Sequence, residues 1–344
     1  MSLPVLETIT DGADFALTVR PFLSQLIFLP STLAEAGANL QNLKDVYLNT
    51  NPLVTAFAFA LFLVPIFVIA SEVNKNYSQV DRAWSILPVA YNAHYTAWAY
   101  LNNLPVETLL NILVLTVIWG ARLTFNYWRK GGYKIGSEDY RWAIVREKVK
   151  NPALFFILNV SFISFFQSML LALITTPTYV FLVTATVDGG DTFAPHDYIF
   201  SRVMAFVIII ETFADHQQWT FQKVKKQYQA NARIPDKYKN TYTTDDLNRG
   251  FVVSGLWSWC RHPNFAAEQA FWIALYQWAC LKTDTLYSWS GVGVTLYILL
   301  FQASTIFTER ISARKYPEYK EYQKRVGKFI PRWSIEPMDG SKTG

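Results

Sequence analysis

The feature that most constrains this chain is a series of apolar blocks, each about twenty residues long, the length a helix needs to cross a hydrocarbon core of about 30 Å. The clearest blocks are 53–71, 106–127, 153–184, 198–218 and 285–307. Two more, 83–101 and 265–283, are interrupted by Asn92 and His94 and by Glu268 and Gln269. Polar groups at that depth are costly against lipid, so these two helices are expected to turn a face toward the bundle interior or a wet cavity. Backbone groups in hydrocarbon must bond within their own segment, which makes every block a helix. The expected fold is therefore all-α, a polytopic membrane bundle of about seven transmembrane helices.

Composition agrees. Apolar residues make up 51% of the chain, yet 31 Lys and Arg outnumber 26 Asp and Glu. The positive charge sits between the blocks. Arg129, Lys130, Lys134, Arg141, Arg146, Lys148 and Lys150 follow the block ending at 127, and the segment 219–262 is similarly rich in Lys and Arg. The positive-inside rule puts both in the cytosol, together with the basic C-terminal tail. The loop 185–197 carries no Lys or Arg and falls on the opposite side. Asn76-Tyr77-Ser78 then lies in a cytosolic loop, where it stays unglycosylated. The localisation expected is a multi-pass integral membrane protein with a cytosolic C-terminus, of the endoplasmic reticulum if the source is eukaryotic.

The N-terminal stretch 15–30 holds Arg20 and Pro21 in its middle and reads as an interfacial or re-entrant helix. The acidic start lacks the basic region of a cleavable signal peptide. Residues 222–250 are polar and are expected to form a cytosolic loop with one short helix. If Cys260 and Cys280 bracket one helix, they lie about 30 Å apart at 1.5 Å per residue, too far for a disulfide. The four histidines show no metal-ligand spacing, so no metal is expected. No repeat or linker marks a second folded domain, and no nucleic-acid partner is expected.

Three polar groups carry candidate chemistry. Arg261, His262, Pro263 and Asn264 are followed by Glu268, and Pro263 suits the first position of a helix. Such a group at a membrane surface either binds phosphate or anchors the helix at the headgroups. Glu211 and Asp215 are four residues apart, on one helical face, and either hold ribose hydroxyls or an amide or pair with Arg261. Tyr319, Tyr322 and Arg325 read as one face of a basic, aromatic helix that either lies on the membrane or closes over a nucleotide. The soluble nucleotide motifs GxGxxG and GxxxxGK[ST] are missing, so any nucleotide site is built from helices and loops.

At these residues the chain resembles a known family. GLWSWCRHPNFAAE is similar to the signature of the DUF1295 branch of the steroid 5-alpha-reductase superfamily, and WGARLTFNYWRKGGYKIGSEDYRWAIVREKV, FQSMLLALITTPTYV, ETFADHQQWTFQ and YPEYKEYQKRVGKFIP follow the family's order across roughly 80–333. The resemblance implies a seven-helix reductase that uses NADPH on a carbon–carbon double bond conjugated to a carbonyl in a steroid-like or other lipid substrate. The organisation expected is an N-terminal extension with an interfacial helix over 1–50, a membrane reductase-like helical domain over 51–333 and a disordered tail over 334–344. By position the cofactor residues are Asp215, Asn264 and Glu268, with Arg261 and His262 assigned to the same pocket; Glu211, Tyr322 and Arg325 join them as candidates from the residue pattern.

The acid and tyrosine that such enzymes place at the substrate carbonyl have as nearest candidates Asp81, Tyr91 and Tyr95. A histidine and a tyrosine of the family's tail are replaced here by Thr305 and Glu309. The competing expectations are a membrane methyltransferase of the isoprenylcysteine type, using S-adenosylmethionine, and a non-catalytic sterol or lipid binder. Membrane lipids are partners in all three cases.

Overall fold

In the computed structural model, which describes residues 2–331, the chain is a helical membrane bundle. No strand occurs among the described residues, only an isolated parallel bridge between Cys260 and Gly327. In chain order the helices are α1 (Leu23–Ala36), α2 (Leu40–Asn49), α3 (Pro52–Asn74), α4 (Leu87–Leu101), α5 (Glu107–Arg129), α6 (Tyr140–Val149) and α7 (Pro152–Thr184). They continue with α8 (Pro195–Asn231), α9 (Thr244–Arg249), α10 (Leu256–Trp259), α11 (Pro263–Lys282), α12 (Gly291–Lys315) and α13 (Tyr319–Arg325). Single turns and short 3₁₀ segments lie between some of them.

Four helices, α3, α5, α7 and α12, are long and apolar enough to cross a membrane. Helix α3 shows how. The Asn51 side chain caps its first turn by accepting from Leu53 N–H, and Pro52 sits at the first helical position, where its missing donor costs nothing. Phe59, Phe62, Ile66, Ile69 and Val73 are all exposed and recur every three or four residues, so the outward stripe of this helix is apolar. In water that pattern would be a liability; against lipid it is a solvated face.

The other three expected spans are helical but depart from a simple apolar rod. Helix α8 carries Arg202, Glu211 and Asp215 within 198–218, α4 has only 15 residues, and α11 holds Asn264, Glu268, Gln269 and Gln277.

The N-terminal stretch is broken where one helix over 15–30 is expected. A turn at Phe15–Thr18 gives way to a 3₁₀ turn at Arg20–Phe22 before α1 begins, because Pro21 cannot donate to a continuing helix. The polar stretch expected to be a loop from residue 222 is helical as far as Asn231. Phe221, Val224 and Tyr228 repeat with helical spacing and pack on Tyr242, Leu247, Val252 and Trp257, so apolar burial carries α8 past its membrane-length portion. The tail expectation over 334–344 lies outside the described residues.

The chain divides into two compact units, one drawn from Met1–Met204 and Trp272–Tyr297, the other from Ala205–Phe271 and Ile298–Gly344. In the first unit the core is aromatic, with Trp98, Trp119, Trp272, Trp278, Tyr91, Tyr95, Tyr179 and Tyr297 fully buried. All nine residues of Thr176–Thr184 are buried, which makes the end of α7 the centre of this unit. A π-helical stretch at Asn159–Phe166 interrupts α7, and there Asn159 donates to Glu72 at 3.0 Å.

The loops 76–82 and 130–146 are joined by Asn76 and Arg82 donating to the Ser137 carbonyl and by Asp139 N–H donating to Ser78. Asn76 is buried by these contacts.

Candidate functional site

In the second unit the RHPN segment is built by a tight succession. Helix α10 ends at Trp259, residues 260–262 run extended beside 326–328, and α11 starts at Pro263, where the sequence places it. Arg261 N–H donates to the Gly327 carbonyl at 2.8 Å and His262 N–H to the Lys328 carbonyl at 3.1 Å. The turn between α10 and α11 is thus pinned on one side by the C-terminal segment.

Two polar clusters follow from this turn. The first is closed. Arg261 is buried, and its Nε and Nη2 donate to the two carboxylate oxygens of Glu309 at 2.7 and 3.2 Å. Its Nη1 donates to the carbonyls of Gln323, at 3.1 Å, and Val326, the ends of α13 that have no helical partner. His262 Nε2 lies 2.8 Å from Glu309 Oε1, and Gln323 Nε2 donates to Glu309 Oε2 at 2.9 Å. The imidazole stacks on Phe265 and has the tilted ring of Phe329 beside it. Arg261 spends its donors on a carboxylate and two carbonyls of its own chain, so the guanidinium serves as a clamp rather than as an open phosphate fork.

The second cluster holds bare amide oxygens. Asn264 Nδ2 donates to Asp215 Oδ1 at 3.1 Å, while Asn264 Oδ1 is buried without a hydrogen-bond partner. Glu211, Asp215 and Gln218 recur at helical spacing on α8, and Gln218 Oε1 is likewise a buried acceptor without a donor. Glu211 and Glu268 are both buried. The bare amide oxygens of Asn264 and Gln218 are acceptors, and their complement is an O–H or N–H donor. Among the described residues no group of three His, Cys, Asp or Glu is placed to hold a metal ion.

The tail residues separate. Tyr319 and Tyr322 are buried with Phe251, Val253 and Val326, and Tyr322 O–H donates to the Trp257 carbonyl. Burial pushes both phenols up from their ordinary range. Arg325 is half-exposed and paired with Glu321 at 2.8 Å. Successive steps of three drift by about 60° on a helix of 3.6 residues per turn, so Val326, seven residues on, shares the face of Tyr319 and Arg325 does not.

The substrate-side candidates belong to the first unit. Asp81 Oδ2 accepts from Trp142 Nε1 at 2.8 Å, and desolvation holds its carboxyl above the usual range in spite of the nearby Arg141. Tyr91 and Tyr95 are fully buried; the Tyr91 hydroxyl has no hydrogen-bond partner, and that of Tyr95 faces Thr175. A buried donor left this way is expensive.

Glu309 and Gln323 are the residues that sequence reasoning missed as part of the site. Glu309 reads as the first charge after an apolar block, beside Arg310, and nothing in its spacing points 48 residues back to Arg261. A signal was present all the same: an acid still inside the helical register of α12 needs a partner.

Comparison with known proteins agrees with the signature. A protein of Schizosaccharomyces pombe (strain 972 / ATCC 24843) described as "Uncharacterized protein C594.04c" is 35% identical over 99% of this chain and 97% of its own length. No solved structure matches the chain significantly. The family described as "Protein of unknown function (DUF1295)" matches residues 66–326, and the chain belongs to that family.

Proposed function

We propose that this protein is a membrane-embedded reductase of the steroid 5-alpha-reductase superfamily that uses NADPH to reduce a carbon–carbon double bond conjugated to a carbonyl in a steroid-like or other lipid substrate. The observation that carries the reading is the half-satisfied amide of Asn264. It is held by Asp215 through Nδ2, and its Oδ1 is a buried acceptor with no donor. A nicotinamide carboxamide or a ribose hydroxyl supplies the missing donor. Asp215 and Glu268 are the further acceptors for the ribose, with Glu211 and Gln218 on the same helix as Asp215. When bound, NADPH supplies a hydride for the electron-poor β carbon.

The chain's own part in the reaction is binding, orientation and charge. Tyr91 and Tyr95 offer buried O–H donors to a carbonyl oxygen that gains enolate character, the moment at which such donors are worth most. Asp81, protonated more readily than an ordinary carboxyl, is the acid candidate of the same unit. Apolar helices hold a lipid-like substrate and keep water away. The topology in this reading has about seven spans, with α4, α8 and α11 completing the four long apolar helices, and a cytosolic C-terminus in the endoplasmic reticulum membrane if the source is eukaryotic. The contacts that join the loops 76–82 and 130–146 support one common side for both.

The test is a titration of the detergent-purified protein with NADPH, followed by nicotinamide fluorescence. Binding is expected, with Asp215→Ala and Asn264→Ala each weakening it by about tenfold, the value of one well-placed hydrogen bond to a polar ligand. S-adenosylmethionine is expected not to compete. No binding, or binding unchanged in both variants, overturns the reading; competition by S-adenosylmethionine favours a methyltransferase, and a bound lipid with no NADPH affinity favours a binder.

A further inference from the structure

The closed cluster beside Asn264 has no part in the proposed chemistry, yet its buried polar contacts are many. Glu309 accepts from Arg261 Nε and Nη2, from Gln323 Nε2 and from His262 Nε2. Arg261 in turn holds the carbonyls of Gln323 and Val326, while the backbone N–H groups of 261 and 262 hold those of 327 and 328. Lys328 Nζ reaches Gln302 Oε1 at 3.1 Å, and Tyr322 O–H reaches the Trp257 carbonyl. The chain's last described segment is therefore tied to both α12 and the turn before α11, with one carboxylate at the crossing point.

We infer that Glu309 is a positioning residue, the catch of a latch that holds the C-terminal segment 322–328 on the 260–262 turn and thereby fixes Asn264 for its ligand. The inference rests on the reading of Asn264 as a cofactor residue. Asn264 follows His262 by two residues, with the rigid ring of Pro263 between them. Consecutive Cα atoms are about 3.8 Å apart, so a displacement of 261–262 is passed on to the Asn264 amide with little room to relax. Asn264 is competent only while the latch is shut. Its apparent affinity then falls in proportion to the fraction of molecules in which the latch is open. Glu309 touches no ligand in this scheme.

The chain contains its own reporter. Cys260 is buried beside Gly327 at the bridge, and burial, partly opposed by the His262 N–H and Arg261, pushes its thiol up to about 11. Opening the latch exposes it, whereas Cys280, buried in α11, is removed by Cys280→Ala to leave one thiol to read. The experiment compares full-length protein in that background with Glu309→Gln and with the milder Gln323→Ala. Two quantities are measured in detergent: the rate of maleimide labelling of Cys260, with and without NADPH, and NADPH affinity by fluorescence.

Glu309→Gln is expected to speed labelling and to weaken NADPH binding by about tenfold, the usual scale for losing a residue that orients a ligand contact. Gln323→Ala is expected to move both in the same direction by less. Saturating NADPH is expected to restore protection of Cys260, a reciprocity that a purely structural role for Glu309 does not give. Cys260 remaining protected in both variants overturns the latch. So does faster labelling with NADPH affinity unchanged, and so does weakened binding with Cys260 still protected, which makes Glu309 a ligand contact instead. Should the parent protein fail to bind NADPH, the functional reading falls, and the latch is then upheld or overturned by the labelling rates alone.

Discussion

Replacing Arg261 by methionine isolates the energetics of the closed cluster. Methionine keeps the apolar stem of the side chain and lacks the guanidinium, so four hydrogen bonds disappear: two to Glu309 and one each to the carbonyls of Gln323 and Val326. Both members of the pair are buried, Arg261 at 7% and Glu309 at 6% of their surface. The loss of a neutral hydrogen bond costs about 1 kcal/mol, but stranding a buried carboxylate without its counter-ion costs about 3–5 kcal/mol, so the stranded charge sets the scale. The exposed pair Arg233–Asp236, at 70% and 72% accessible, is the control; Arg233→Met is expected to change stability by less than about 1 kcal/mol. The assay is denaturant unfolding in detergent followed by tryptophan fluorescence. Arg261→Met is expected to lose about 3–5 kcal/mol, and Arg261→Met combined with Glu309→Leu to recover much of it, because no charge is then left buried. A loss within about 1 kcal/mol for the single variant, or a double variant equal to the sum of the two single losses, refutes the reasoning.

Two further outcomes follow from local structure. Asp81→Asn keeps an acceptor for Trp142 Nε1 and removes the carboxyl that desolvation holds above its usual range. A carboxyl raised on folding destabilises as pH rises through its unfolded pKa, about 4, toward its folded value, so the variant is expected to be the more stable at pH 7.5 and to lose that advantage below about pH 4. Unfolding curves of both proteins at the two pH values check this, and an advantage independent of pH counts against it. Gly250 ends α9 at φ +88°, its carbonyl accepts from the buried Lys225, and a Cβ there would lie 2.4 Å from the Tyr316 ring. Gly250→Ala is expected to cost about 2–4 kcal/mol by adding left-handed strain to overpacking, measured by the same unfolding assay.

Much of the architecture is written in short-range pattern. Apolar blocks with capped starts yield α3, α5, α7 and α12, and Pro263 opens α11 as its position implies. The signals that failed are those that depend on a partner far along the chain. Helix α8 outruns its apolar block because Phe221 and Val224 find cover on Tyr242 and Trp257, residues that the local sequence does not reveal. Arg325 leaves the face of Tyr319 because three-residue steps drift on a helix, an error of phase rather than of type. The partners of Glu309 were hidden for the same reason that they matter: its four bonds reach 14 to 48 residues away, where no spacing rule operates.

The contrast between two halves of one short motif carries the functional argument. Arg261 and His262 face inward to a carboxylate and to backbone carbonyls, whereas Asn264, two residues on, keeps a buried oxygen without a donor. A structural anchor gains from satisfying every polar atom, since each one left bare costs about 1–3 kcal/mol. If the whole motif were an anchor, the amide would be the place where that economy fails. If one half braces and the other binds, the bare oxygen is the part reserved for a donor from outside the chain. The same cost applies, within the first unit, to the unmatched hydroxyl of Tyr91.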